Sequence, residues 1–425
     1  MTHETGGRRA SVGVAAMPFL RVLAVARFRL ALALVVLGVA LYFAWLGLDG
    51  FRSMQDFRNE FVPVARLAWS GVAPFKPVPM ARPGSFMAGG GTSVYTPPFL
   101  LLMWPWTLLP TAAGEAAWFA LELGAVVGML ALVYARIGAP STAELASVVA
   151  VILVLMPFRD SLNDGQVSLG VGFLVCVALW AHQGRNAILG GLALGIATAV
   201  KITPVGAMAY FAWRRDWALV GVSMVVLAVL ALATIMAGWA GYWPGFFHNL
   251  AAVSSGTANT LNQSLNGLVL RLLHPEWTGQ PIPPLDAGVR APWLVLQVAV
   301  ATVALMVARR GPRDNLDEWA MYACLLLALP LVSPFAWPHH YAQALVAVPV
   351  VTRLMLLRRL SAAATLVAVG MFLALAFLEV PLTAAGLAEG ANLARHPELA
   401  VGASLLVFAA LATMGVLARA RGAGS

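Results

Sequence analysis

Apolar stretches long enough to cross a lipid bilayer recur along this chain from about residue 29 to about residue 418. A crossing helix needs roughly 20 such residues. Only 11% of the 425 residues are charged, against 60% hydrophobic, and a soluble domain carries about 25% charged residues. No polar segment is long enough to fold by itself. The expected fold class is therefore an all-α polytopic membrane protein with about 10–13 transmembrane helices. It reads as one domain over 1–425, with its embedded core at 28–418.

Spans are expected at about 29–48, 114–135, 142–157, 167–182, 186–200, 216–237, 291–309, 316–332, 341–357, 360–380 and 397–418. A short one at about 202–213 follows the break Lys201-Ile202-Thr203-Pro204. The net charge of +9 does not point to nucleic acid. Arg136, Arg185, Arg214, Arg215, Arg309, Arg310, Arg353, Arg358 and Arg359 fall in short loops on one side, which the positive-inside rule makes cytoplasmic. Both termini then lie in the cytoplasm, and the first span is retained rather than cleaved as a signal. Cys176 and Cys324 sit inside apolar runs, so buried thiols are expected and a disulfide framework is not.

The far side carries a first loop at 50–113, a large loop at 238–290, and shorter ones near 158–166, 333–340 and 381–396. In the first, Asp56 to Trp69 reads as an interfacial helix with Phe57, Phe61, Val64, Ala65 and Ala68 on one face. Gly84 and Gly89-Gly90-Gly91 read as a flexible cover, and Phe99 to Leu109 as a half-inserted or interfacial helix. The sequence shows no internal repeat, which disfavours a transporter built from duplicated halves.

The polar residues gather at this far face. Asp56 and Glu60 lie in the first loop, and Arg159, Asp160, Asn163, Asp164 and Gln166 in the second. Lys201 stands at the broken span. Asn262, Ser264 and Arg271 lie in the large loop, and Trp337, His339 and His340 in the next. Asp56 has the place of a general base; a solvated or helix-capping carboxylate is the plainer explanation, and Asp49 and Glu60 compete for the role. An ammonium beside hydrocarbon is costly unless paired or wetted, so Lys201 suits a lipid phosphate, with snorkelling as the alternative. Adjacent histidines seldom face one ion, and no third ligand has telling spacing, so no obligatory metal is expected. Trp337 suits stacking on a sugar or interfacial anchoring. Trp104 and Trp106 are read as interfacial belt residues. No glycine fingerprint for a nucleotide-sugar donor is present.

Four stretches in order resemble the polyprenol-phosphate-sugar-dependent glycosyltransferases of family 87, which have the GT-C membrane fold. They are Gln55-Asp56-Phe57 with Tyr95-Thr96-Pro97-Pro98-Phe99, then Asp164-Gly165-Gln166-Val167, then Gly191 to Gly195 running into Lys201-Ile202-Thr203-Pro204. The last joins Asn262-Gln263-Ser264-Leu265-Asn266 and Arg271 to Ser333 through Tyr341. The resemblance implies a bacterial inner-membrane enzyme with a periplasmic active site. It would move mannose, or in some relatives arabinofuranose, with inversion from a polyprenyl phosphate to a glycan or glycolipid hydroxyl. It implies Asp56 as base, Lys201, Arg271, His339 and His340 as donor phosphate contacts, and Glu60, Tyr95, Arg159, Asp160, Asp164, Gln166, Asn262, Ser264 and Trp337 around the substrates. Membrane lipids, the lipid-linked donor and the acceptor are the implied partners. The run Phe57-Arg58-Asn59-Glu60-Phe61 departs from the tyrosine-rich sequence usual there. A transporter or flippase of an anionic or lipid-linked substrate is the alternative class.

Overall fold

A computed structural model describes residues 54–75, 95–278, 285–378 and 398–420, with scattered positions within 30–41 and 381–396. Most of the expected first span, Asp49, the glycines at 84 and 89–91 and most of the loop at 381–396 lie outside the described residues. Among the described residues the regular elements are all helices. A π-turn, Phe57–Phe61, continues into α1 (Val62–Trp69), followed by the short α2 (Pro97–Leu102) and α3 (Trp104–Thr107). Then come α4 (Thr111–Ile137), α5 (Thr142–Val154), α6 (Met156–Asp164), α7 (Ser168–Gln183), α8 (Ala187–Val200), α9 (Val205–Trp213) and α10 (Trp217–Thr234). The rest are α11 (Tyr242–Val253), α12 (Leu265–Leu273), α13 (Ala287–Arg309), α14 (Asn315–Val332), a 3-10 helix (Pro338–Ala344), α15 (Ala347–Leu356), α16 (Ala362–Phe377), α17 (Glu398–Gly402) and α18 (Leu405–Arg419).

Among the described residues four helices are long and apolar enough to cross a membrane, and α5 with α6 passes the same test as a pair bent by 59°, a broken span or a re-entrant loop. Five shorter apolar helices accompany them among the described residues. The chain is therefore a multi-pass membrane protein. Cys176 and Cys324 are free and buried, as expected.

Three expectations change. The stretch 158–166 is not a loop: α6 runs through it to Asp164, with Pro157 in its first turn and Gly165 closing it at φ 64°. That is the ordinary punctuation of a helix, proline at the start and a left-handed glycine at the end. The large loop holds α11 and α12. The segment at 202–213 folds as nine-residue α9, rising ~14 Å, about half the hydrocarbon thickness.

Close packing carries α8 to its place. Gly191 and Gly195 face α10 so tightly that a Cβ on Gly191 would stand 2.4 Å from Val222 Cβ, and one on Gly195 would stand 2.7 Å from Val226 Cβ. Small residues four apart let helix backbones approach where lipid offers no hydrophobic drive. Gly191→Leu is expected to destabilise the protein by about 1–3 kcal/mol or more through overpacking, seen as a lower thermal unfolding midpoint in detergent. An unchanged midpoint would contradict this contact.

Candidate active site

The turn that bears Asp56 is held by its aromatic side. Phe57 and Phe61 are buried, as are Val64, Ala65 and Ala68, the face read from the sequence. Phe57 packs on Trp118 at 5.0 Å between ring centroids, and Phe61 on Tyr95 at 4.8 Å and Phe99 at 5.2 Å. Trp106 joins this cluster, 5.2 Å from Trp118. On the other side of the turn, exposed Arg58 meets Glu115 at 2.6 Å. Gly165 is needed twice: its φ is positive, and a Cβ there would come within 2.8 Å of Phe57. This close approach sets Gln166 beside Asp56.

A chain of hydrogen bonds then orients the carboxylate. Tyr95 Oη donates to Gln166 Oε1 at 2.9 Å, which fixes the amide so that Gln166 Nε2 donates to Asp56 Oδ2. Asp56 is only 7% exposed. Burial first, and the charge of Asp160 second, push its carboxyl up to about 6, partly offset by Gln166 and Lys201. Burial, with Asp56 nearby, takes Glu60 up to about 7.

Lys201 arrives from the other direction. Helix α8 ends at Val200, and Lys201 is extended at φ −143° and ψ 132°, before Pro204 leads into α9. Thr96 pins this break: its hydroxyl donates to the carbonyl of Ala199, one of the unpaired groups of a helix end, and also accepts from Phe99 N at the start of α2. Lys201 Nζ donates to Ser168 Oγ at 3.0 Å, in the first turn of α7.

Both residues open into one cavity of about 280 Å³. Its polar lining includes Asp56, Glu60, Tyr95, Thr96, Gln166, Lys201, Trp337, His339 and His340, and an apolar wall is formed by Val200, Ile202, Val205, Leu250 and Val253. His340 Nδ1 is buried and has no hydrogen-bond partner among the described residues. Burial, aided by the charge of Lys201, holds the His340 ring well below the usual histidine range, hence neutral.

His339 is anchored across 179 residues of sequence. Asp160 Oδ2 accepts from its backbone N–H at 3.1 Å and lies 2.9 Å from its Nδ1, and Asp164 Oδ2 lies 3.9 Å from the same nitrogen. These three side chains place their ligand atoms within 4.8 Å of one another. They could close round a cation, but Asp160 is already engaged by His339, which it orients at the start of the 3-10 helix.

Arg271 does not reach the cavity. It is 0% exposed, and its guanidinium donates to the carbonyls of Asn259 and Asn262 and to Ser404 Oγ at 2.6–3.1 Å. It ties α12 to the start of α18. Asn262 and Ser264 are also buried and do not line the cavity. Asn262 Oδ1 accepts from Ala336 N at 2.9 Å, and Ser264 Oγ donates to it at 2.9 Å. They hold the 333–337 segment in which Pro334, Phe335 and Trp337 line the cavity. Arg159 lies on α6 outside the lining, and so do Asp160 and Asp164, though Asp160 holds His339 and its charge is felt at Asp56. Sequence reasoning missed Thr96 and Ser168 as parts of the site. Thr96 was legible as a helix cap before two prolines, and Ser168 as the residue after the Asp164-to-Val167 stretch.

The sequence model described as glycosyltransferase family 87 matches residues 94–334. Among curated proteins, a polyprenol-phosphate-mannose-dependent alpha-(1-2)-phosphatidylinositol mannoside mannosyltransferase of Mycolicibacterium smegmatis is 31% identical over 228 residues, covering 51% of this chain and 48% of that one. A pentamannoside mannosyltransferase of Mycobacterium tuberculosis is 26% identical, covering 58% of this chain and 55% of its own. A third, a mannoside mannosyltransferase of the same species, is 27% identical, covering 68% and 71%. The match thus spans about half the length of the first two relatives. Among solved structures, ArnT from Cupriavidus metallidurans bound to undecaprenyl phosphate is similar at a TM-score of 0.38 and 16% identity, over 92% of this chain and 77% of that one.

Proposed function

As this chain belongs to glycosyltransferase family 87, we propose that it transfers a hexose, mannose in the first instance, from a polyprenyl phosphate to a hydroxyl of a glycan or glycolipid. The cavity faces the periplasmic side of a bacterial inner membrane in this reading. The observation that carries it is the meeting of a buried, oriented carboxylate and a lysine at a broken helix in one cavity with an apolar wall. The names of the relatives supply the donor and a mannoside as the class of acceptor.

In the reaction, Asp56 takes the proton of the acceptor hydroxyl as its oxygen bonds the sugar's anomeric carbon. The bond from that carbon to the phosphate oxygen breaks on the opposite face, and the electron pair leaves on the phosphate. Inversion follows from attack opposite the leaving group. Lys201 neutralises the charge gathering on the phosphate, and His340, with His339 beside it, offers further polar contacts; fixed donors aimed at developing charge lower the barrier. The wall of Val200, Ile202, Val205, Leu250 and Val253 takes the first isoprene units. Arg271, walled off in its own polar knot, has no part in holding the donor.

The test is to incubate the purified protein with polyprenyl-phosphate mannose and a mannoside, and to follow release of the carrier. Base catalysis requires ionised Asp56, whose carboxyl sits at about 6. Activity is therefore expected to be full above that pH and to fall about tenfold per pH unit below it. A profile flat down to about pH 5, a full unit below that value, would reject Asp56 as the base, and absence of carrier release would reject the reaction.

A further inference from the structure

Resting on that reading of the site, we propose that Glu60 selects the acceptor. It binds the hydroxyl adjacent to the one Asp56 deprotonates, so the substrate class is a pyranoside presenting two neighbouring free hydroxyls.

Glu60 lines the same cavity as Asp56 and stands four residues after it. The backbone between them is a π-turn, Phe57–Phe61. Such turns close at the fifth residue rather than the fourth, and are frequent at functional sites. The turn has little freedom to place these two side chains elsewhere. Phe57 and Phe61 are locked into the aromatic cluster, and Arg58 is turned outward to Glu115. Asp56 and Glu60 are left directed into the cavity.

The two carboxylates differ in how they are held. Asp56 is fixed by Gln166, which Tyr95 in turn fixes. Glu60 is partly buried and has no hydrogen-bond or ion-pair partner among the described residues. A second acid set beside the base without a partner works against folding, since burial and like charge both penalise it. A ligand hydroxyl donating to it removes that penalty. One rigid carboxylate for the reacting hydroxyl and one for its neighbour would fix the sugar ring against rotation about the bond being formed, which is how a site recognises a diol rather than a single alcohol. Lys201 and the histidines already serve the donor end, so the acceptor end is where Glu60 remains available.

The test uses the full chain in detergent with polyprenyl-phosphate mannose, octyl α-mannoside and the monodeoxy analogues of that mannoside. At about pH 8, where Glu60 is mostly ionised, wild type is expected to lose about 10- to 100-fold in kcat/KM with one deoxy analogue, the size of a hydrogen bond to a charged group. Glu60→Ala should lose a similar factor on the parent mannoside, through the acceptor KM and not the donor KM. It should no longer distinguish that analogue from the parent. Glu60→Gln, which keeps an acceptor oxygen, should recover part of the discrimination. A merely structural glutamate would not make the loss depend on one hydroxyl of the acceptor. Discrimination unchanged in Glu60→Ala would overturn the proposal while leaving the mannosyl transfer intact. A loss of turnover at saturating acceptor, equal to that expected for removing the base, would overturn it by making Glu60 catalytic. No transfer by wild type from any polyprenyl-phosphate sugar would reject both this inference and the reading beneath it.

Discussion

Asp56→Asn is expected to cut turnover by about 10²- to 10⁴-fold, the range that a positioned general base contributes, while the protein still folds and still binds its donor. The substitution is close to isosteric. The new amide would keep an oxygen toward Gln166, whose own amide donates to Asp56 and is itself held by Tyr95. The surrounding packing of Phe57 on Trp118 does not involve the carboxylate. What disappears is the ability to accept a proton from the acceptor hydroxyl. Single-turnover transfer of labelled mannose, beside donor binding by the same sample, separates the two. Transfer within about threefold of wild type would remove Asp56 from the role of base, since no base-catalysed step survives loss of its base so lightly.

Lys201→Ala is expected to act on the donor instead, raising the donor KM or Kd by about 10- to 150-fold, as for a lost hydrogen bond to a charged group worth about 1.5–3 kcal/mol. Its hydrogen-bond partner among the described residues, the Ser168 hydroxyl at 3.0 Å, is neutral, and no carboxylate there comes within ion-pair distance of it. A neutral partner leaves the ammonium's charge available for an anion. Lys201→Arg should be intermediate, because a planar fork does not replace a compact point charge in a closed site. The measurement is donor titration by displacement of a labelled polyprenyl phosphate. Unchanged donor affinity in Lys201→Ala would reject the phosphate assignment.

Much of this arrangement is legible in the order of the amino acids. The aromatic and small residues of the Asp56–Trp69 helix mark its buried face by spacing alone, because that face packs on near neighbours. Lys201 stands out because an ammonium interrupts an apolar run just before Pro204. The parts that are not legible depend on contacts between distant segments. Nothing local tells that Asp160 meets His339, since each looks like an ordinary loop residue. Arg271 misled for the same reason: a cation in a polar outer loop suggests an anion, yet the folded chain surrounds it with the carbonyls of Asn259 and Asn262 and the hydroxyl of Ser404, from the far end of the sequence. The polar stretch around Asp160 hid a helix because only Phe158 and Leu162, four apart, mark its buried apolar face. There the proline at its start and glycine at its end were the better guides.

That donor phosphate and base share one chamber is tested most directly by determining the structure with a polyprenyl phosphate bound. The phosphate should lie within hydrogen-bonding distance of Lys201 Nζ, about 2.7–3.2 Å, with its isoprene chain leaving past Val205 and Leu250 and Asp56 facing the vacant sugar position. A phosphate seated outside this cavity would contradict the account.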